Sequence, residues 1–247
     1  MKRGAAAPSR KVVLLTGASG TLGTALSRRW AGTYDVVAVC HRRAPDVATN
    51  LRSFVDPLGA TADLPENADP AFEIHADLTD DGQISRVVEL ALARHGRIDV
   101  LVNAIGRAGP VGLLNGDLAA AAETIKVNAL VPIEMAVEVA RRFWRHDDRE
   151  NAARNRVVIN LSASATVDID DVTLGAATAA SKAALNILSS RLADELSVFH
   201  VRVNTVAPAP FPSVVGLDRL VDAITALVEG GDTGRLLLLW DDADELV

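Results

Sequence analysis

The chain contains one cysteine, Cys40, in 247 residues, which excludes an internal disulfide framework. It has no C-x-x-C or H-E-x-x-H spacing, so the sequence predicts no metal site. Positive charge is in deficit, with 25 Lys and Arg against 32 Asp and Glu and a net charge of -7, which argues against a nucleic-acid-binding face. No apolar run is long enough for a membrane span, and the start, MKRGAAAPSRKVVLL, is basic but too short in its apolar part for a signal core. A cytoplasmic protein with small-molecule partners, and with no nucleic-acid or membrane partner, is expected. Tyrosine occurs once, as Tyr34, and lysine only as Lys2, Lys11, Lys126 and Lys182. Arginine serves wherever a generic positive charge is needed, and that singles out Lys182.

What is present is an ordinary globular composition, 49% hydrophobic and 23% charged, which leaves disorder to the ends. The length suits one α/β domain, and no repeat or low-complexity linker divides it. Residues 1–10 are expected as a flexible N-terminus and 11–247 as a single domain. The runs KVVLLTG, YDVVAVC, AFEIHADL, IDVLVNAIG, RVVINLSAS, HVRVNTVAP and GRLLLLWD read as buried strands. Helical periodicity predicts helices over 21–31, 80–95 after a Thr79/Asp80 cap, 118–146, 176–198 and 217–229. Buried strands alternating with helices predict a doubly wound parallel α/β sheet. The polar stretches 56–70 and 145–156 read as solvated loops.

Between the first strand and the first helix, TGASGTLG carries Gly17, Gly20 and Gly23. Glycine suits a tight turn, a close backbone approach to a pyrophosphate and tight helix–strand packing, and the anion then sits at the helix N-terminus. Thr16, Ser19 and Thr21 add hydroxyls, and Leu22 lies in the same loop-to-helix segment. At the end of the second strand, His41, Arg42 and Arg43 stand where an NAD-preferring domain commonly has an acidic residue. An Arg there accommodates a 2′-phosphate, so NADP (NADPH) is expected in preference to NAD. The other reading of the arginine pair is a solvated strand end.

In order along the chain, TGASGTLG, ADLTD, DVLVNAIG, IKVNAL, VVINLSAS, AASKAAL, VRVNTVAP and TGRLLLLWD resemble the landmarks of the short-chain dehydrogenase/reductase family over nearly the whole length. The resemblance implies a Rossmann fold and a nicotinamide cofactor. It implies that Asp77, beside Leu78, contacts the adenine, and that Asn103, Ala104 and Gly106 form the element beside the cofactor, with Pro208 after the sixth strand. Asn128 matches the family's active-site Asn. Lys182 matches the active-site Lys that holds the nicotinamide ribose and lowers the pKa of the catalytic Tyr.

The departures fall at the chemistry. The family's Y-x-x-x-K reads TAASK, which puts Thr178 at the tyrosine position, and the strand-ending serine falls on Ala163, between Ser162 and Ser164. The first loop has TGxxGxxG spacing, NNAG has become NAIG, and the P-G pair is Pro208-Ala209. Few residues separate APAP (207–210) from the helix near Leu217, where the family usually carries a long lid, so an open pocket is expected. Asn128, Ser164, Thr178 and Lys182 are the catalytic candidates, with the acidic run Asp168, Asp170 and Asp171 as another proton source. Threonine cannot be tuned into tyrosine's pKa range.

Three readings follow. The first is an NADP-dependent oxidoreductase acting on a carbonyl or alcohol of a small, specialised-metabolite substrate with atypical proton delivery; the Ala- and Arg-rich composition suits a bacterial source. The second is a non-redox isomerase, dehydratase or cyclase reusing the pocket. The third is a silent homologue that binds a partner chain. The resemblance also implies a homo-oligomer, dimer or tetramer, built on helices 118–146 and 176–198, or a heteromer with an active relative.

Overall fold

The computed structural model describes residues 10–47, 71–110, 112–114, 116–164, 174–210, 215–240 and 244–246. Eight strands form one sheet in the order β3-β2-β1-β4-β5-β6-β7-β8. They are β1 (Val12–Thr16), β2 (Asp35–Cys40), β3 (Phe72–His75), β4 (Val100–Asn103), β5 (Val157–Leu161), β6 (Arg202–Pro208), β7 (Leu236–Leu239) and β8 (Asp244–Leu246). The first seven are parallel, as the runs of Val, Leu and Ile require, because each strand is covered on both faces. Each of the seven falls in a predicted run. β8, which pairs antiparallel with β7, was not anticipated. A three-residue Asp-Glu-Leu segment has neither length nor alternation to announce a strand.

Successive residues of β1 point into opposite layers, so Val12 and Leu14 join the core under α2 (Gln83–His95), α4 (Val131–Arg142) and α6 (Ala176–Ser197). Val13 and Leu15 join the core under α1 (Thr21–Trp30) and α7 (Leu217–Glu229). The order reverses between β1 and β4, and a crevice opens there at the carboxyl ends of the strands. Among the described residues, no helix is long and apolar enough to cross a membrane.

The helices follow the expected spans with three corrections. α2 starts at Gln83 rather than 80, with Gly82 at its N-cap, because the Thr79 amide and hydroxyl both donate to the Asp77 carboxylate instead of capping a helix. The span 118–146 is not one helix: α3 (Leu118–Ile125) leads into a π-turn (Lys126–Leu130), then α4 and a 3-10 turn at Trp144–His146. Pro132 has no N–H, so the Asn128 carbonyl loses its ordinary helical donor. The turn widens, and the Val131 N–H reaches back five residues to Lys126 O.

Stretch 145–156 is not a solvated loop. It folds into α5 (Asp148–Ala153) behind an Asp147 cap that accepts from Glu150 N, and it buries Asn151 and Arg156. Arg156 pairs with the fully buried Asp99 at 3.3 Å and lies over the Phe143 ring at 4.5 Å. A second Asp99 oxygen accepts from the first amide of β1, Val12 N, at 3.0 Å, so this cluster clasps the amino-terminal ends of β1 and β4. Residues 1–9 and 56–70 lie outside the described residues.

Candidate functional site

The glycine loop is shaped by contacts that only glycine permits. Gly17 has φ +68°, and a Cβ on it would stand 2.6 Å from Ala104 O and 2.8 Å from Ile105 N. A Cβ on Gly23 would stand 2.6 Å from Ala18 Cα and closer still to Gly17 O. The loop is therefore pressed between the start of α1 and the segment after β4. α1 begins at Gly20 without a side-chain cap, so the first amides of the helix, including those of Thr21, Leu22 and Gly23, have no carbonyl within it. Bare amides at a positive helix end fit a diphosphate.

A cavity of ≈ 530 Å³ opens beside this loop, reaching from Gly17 and Ser19 past Asp77 to Gly106 and Arg107. Of the predicted cofactor residues, Gly17, Ser19, His41, Arg42, Arg43, Asp77, Leu78 and Gly106 line it. The Asp77 carboxyl is held below its usual range, chiefly by hydrogen bonds from Thr79 and then by His41, whose Nε2 lies 3.2 Å away. Arg42 and Arg43 are exposed and form no ion pair among the described residues. The Cys40 thiol also lines the cavity; burial pushes it up to about 12, so it is neutral at pH 7.

Other predicted residues work from behind the wall. Thr16 and Asn103 are buried and bonded to each other at 3.3 Å, and Asn103 Nδ2 donates to Pro132 O and to Asn160 Oδ1. Asn160 Nδ2 in turn donates to Ser189 Oγ at 2.8 Å. The Asn103 side chain therefore joins strands and does not face the cavity. The Leu22 side chain belongs to the core, and Pro208 is buried, pairing with Leu239 at the end of β6. Gly20, Thr21 and Gly23 shape the loop, and Ala104 backs Gly17.

Behind the cavity wall at Gly106 and Arg107 stand three of the four catalytic candidates, none of which lines the cavity itself. The π-turn places Asn128 so that its Oδ1 accepts from Arg107 N at 2.9 Å, while its Nδ2 donates to Arg107 O and Ser181 Oγ. Gly109 N donates to Thr178 Oγ1 at 2.9 Å. The strap from Gly106 to Gly109 is thus tied down by Asn128 and Thr178. One turn further along α6, Lys182 is buried and its Nζ donates to Leu161 O at 2.6 Å. A Cβ on Gly106 would lie 3.6 Å from that Nζ and 3.7 Å from Asn128 Oδ1. Burial alone draws the Lys182 ammonium down to about 8. The fourth candidate, Ser164, follows β5, and its buried hydroxyl has no hydrogen-bond partner among the described residues.

Ser181 and Gly109 were not anticipated as site residues. Ser181 directly precedes Lys182, which was a usable signal, whereas the Gly109 amide has none. Tyr34 is at the opposite end of the sheet, before β2, with its hydroxyl on Glu229. Asp168, Asp170 and Asp171 lie outside the described residues.

The short chain dehydrogenase family model matches residues 11–216. The rhamnolipids biosynthesis 3-oxoacyl-[acyl-carrier-protein] reductase of Pseudomonas aeruginosa is 26% identical over 236 residues, 91% of this chain and 84% of the relative. The structure of the Pseudomonas aeruginosa RhlG/NADP active-site complex superposes with a TM-score of 0.76 at 20% identity, covering 94% of this chain and 95% of the other. An NADH-dependent reductase, A1-R′, complexed with NAD, gives 0.74 at 23% identity over 94% and 95%. A match that runs from the first strand past the sixth, with the sheet order and glycine loop seen here, makes this chain a member of the short chain dehydrogenase family.

Proposed function

We propose that this protein is an NADP(H)-dependent oxidoreductase that interconverts a carbonyl and an alcohol on a small molecule, with a proton that no tyrosine supplies. The observation that carries this reading is one cavity lined by the glycine loop and by Arg42 and Arg43, which form no ion pair among the described residues, and walled by Gly106, behind which lies the buried Lys182. The residues present fit a dinucleotide. The bare amides at the start of α1 take the diphosphate, Asp77 and Leu78 flank the adenine, and an exposed arginine pair answers a 2′-phosphate better than the hydroxyls of NAD. When bound, the nicotinamide supplies or accepts a hydride.

The chain's own residues orient that exchange. Asn128 and Thr178 are positioning residues: they hold the Gly106–Gly109 strap through its backbone. Lys182 sets a positive charge beside the ribose end. Ser164 offers a buried hydroxyl whose proton is not committed to another described residue, suited to an oxygen that gains charge in the transition state. Thr178 stands where the family's tyrosine is expected and is engaged by Gly109, and Tyr34 is at the wrong end of the sheet. The proton therefore comes from another group. The reductase from Pseudomonas aeruginosa makes a 3-oxoacyl thioester the first substrate to try.

Titration of the purified protein with NADPH and NADH, followed by nicotinamide fluorescence, tests the assignment. NADPH binding at least tenfold tighter than NADH is expected, since one charge-assisted contact to the 2′-phosphate contributes about 1.5–3 kcal/mol. Equal affinities refute the role given to the arginines, and no binding of either refutes the oxidoreductase reading. The engaged Thr178 hydroxyl also favours a second reading, a protein that binds the dinucleotide without redox turnover; tight binding with no reduction of any carbonyl tested would select it.

We further propose that copies of the chain pair through α3 and α6, where Leu118, Ile125, Ile187 and, just past the end of α6, Val198 are exposed. Light scattering on the wild type and on Ile187→Glu should show a dimer or tetramer that the charge splits; a monomeric wild type refutes this.

A further inference from the structure

We propose that Lys182 is itself the acid–base catalyst of this site, its ammonium giving a proton directly to the carbonyl oxygen of the substrate; this rests on the oxidoreductase reading above. The argument begins with what the amine touches. Among the described residues, Nζ makes one hydrogen bond, to Leu161 O, and no carboxylate pairs with it. Two of its three protons therefore remain available for donation. Gly106 lines the cavity, and a Cβ on it would stand 3.6 Å from Nζ, so the amine lies directly behind the cavity wall at a residue that puts no side chain between them.

Among the described residues, the charged groups on the surrounding elements are turned elsewhere. From the segment after β4 comes Arg107, whose guanidinium pairs with Glu123 at 2.5 Å on α3. From the π-turn comes Lys126, whose Nζ donates to Thr79 O. The end of β5 presents Leu161 and Ser162, and within a turn of Lys182 on α6 there is no charged residue. An isolated ammonium in such surroundings is destabilised by desolvation, which brings its acidity to about 8, near the optimum for proton transfer at neutral pH. Thr178 and Ser164 cannot substitute, because an aliphatic hydroxyl is far too weak an acid.

The balance is complete. In reduction the carbonyl carbon gains the hydride and the carbonyl oxygen gains the Lys182 proton. The nicotinamide is oxidised, an N–H bond breaks as an O–H bond forms, and the neutral amine recovers its proton from water. The reverse direction uses the neutral amine as base.

The scarcity of lysine makes the test direct. Protein labelled with [13Cε]-lysine gives signals from four lysines, and the Lys182 signal is the one missing in Lys182→Arg. It should titrate near 8 with no substrate or cofactor present. Reduction of a 3-oxoacyl N-acetylcysteamine thioester by NADPH should then fall above the same pH. Lys182→Arg keeps the charge but not the acidity, so it should bind NADPH within about threefold of the wild type yet lose at least 100-fold in kcat, and Thr178→Val should leave the pH limb in place. A Lys182 signal titrating above 10, substantial turnover by Lys182→Arg, or a protein that binds NADPH but leaves the thioester unreduced at every pH overturns the donor role alone. Absence of nicotinamide binding by the wild type takes the oxidoreductase reading down with it.

Discussion

Gly23→Ala sets two well-known effects against each other. Gly23 lies within α1, where alanine is the better helix former by about 1 kcal/mol, so propensity alone forecasts a more stable protein. The structure forecasts the opposite. The new methyl would stand 2.6 Å from Ala18 Cα and closer to Gly17 O, more than 1 Å inside ordinary carbon–carbon contact. These are backbone atoms of the glycine loop, so relief requires the loop to move. Overpacking of a tight site costs about 1–3 kcal/mol, and backbone obstruction belongs at the upper end. The net loss is roughly 1–2 kcal/mol, or about 2–8 °C in Tm for a chain of this size. The larger effect falls on binding. A displaced loop misdirects at least two amides from the diphosphate, at about 1.5–3 kcal/mol each, so NADPH affinity should fall on the order of 100-fold or more. Thermal unfolding and fluorescence titration read the two effects separately. An alanine variant at least as stable as the wild type, binding NADPH equally well, refutes both the packing argument and the assignment of the loop.

Asp99→Asn leaves Arg156 buried without its counter-charge; a loss of about 3–5 kcal/mol is expected in denaturant unfolding, and a loss below 1 kcal/mol contradicts the clasp. Lys182 carries a folded-state pKa depressed to about 8 from 10.5, so the unfolded chain binds more protons between those values and stability attributable to this group rises with pH across that window. The Tm difference between wild type and Lys182→Met should accordingly change in favour of the wild type from pH 8 to pH 10, and a pH-independent difference would count against the desolvated ammonium. Thr178→Tyr should add little reductase activity to that of the wild type, because it removes the Gly109 anchor; Thr178→Tyr with Ala163→Ser should add more, and equal rates for the two variants would show that position 163 is indifferent.

The parallel strands were legible because burial on both faces leaves continuous apolar runs, and the glycine loop because three glycines at that spacing between strand and helix have few other uses. The π-turn was not, since Pro132 sits inside an otherwise regular helical pattern. The Asp, Arg and Glu residues of α5 suggest solvent and so predict a loop, although Asp147 and Glu150 have the spacing of a helix-capping pair. At the site, the identities of Asn128, Thr178 and Lys182 were readable, but their partners were not. The Gly109 and Arg107 contacts are made by backbone, which every residue carries alike. Asn103 shows the complementary difficulty: a polar residue at a strand end is equally suited to facing a ligand and to facing another strand, and only the position of Asn160 decides.

The chain of side chains from Thr16 through Asn103 and Asn160 to Ser189 has a consequence for how the sheet chooses its alignment. Apolar strands lying side by side have little to distinguish one offset from the next, since valine follows valine. A slip of β5 by one residue against β4 would turn Asn160 into the opposite layer, breaking its bonds to Asn103 and Ser189 and leaving Asn103 with Pro132 and Thr16 alone, at about 1–3 kcal/mol for each group left unpaired. These four residues act as a vernier: by penalising every wrong offset they fix where the central strands stop, and so bring the loop bearing Gly17 and the helix bearing Lys182 to the same level.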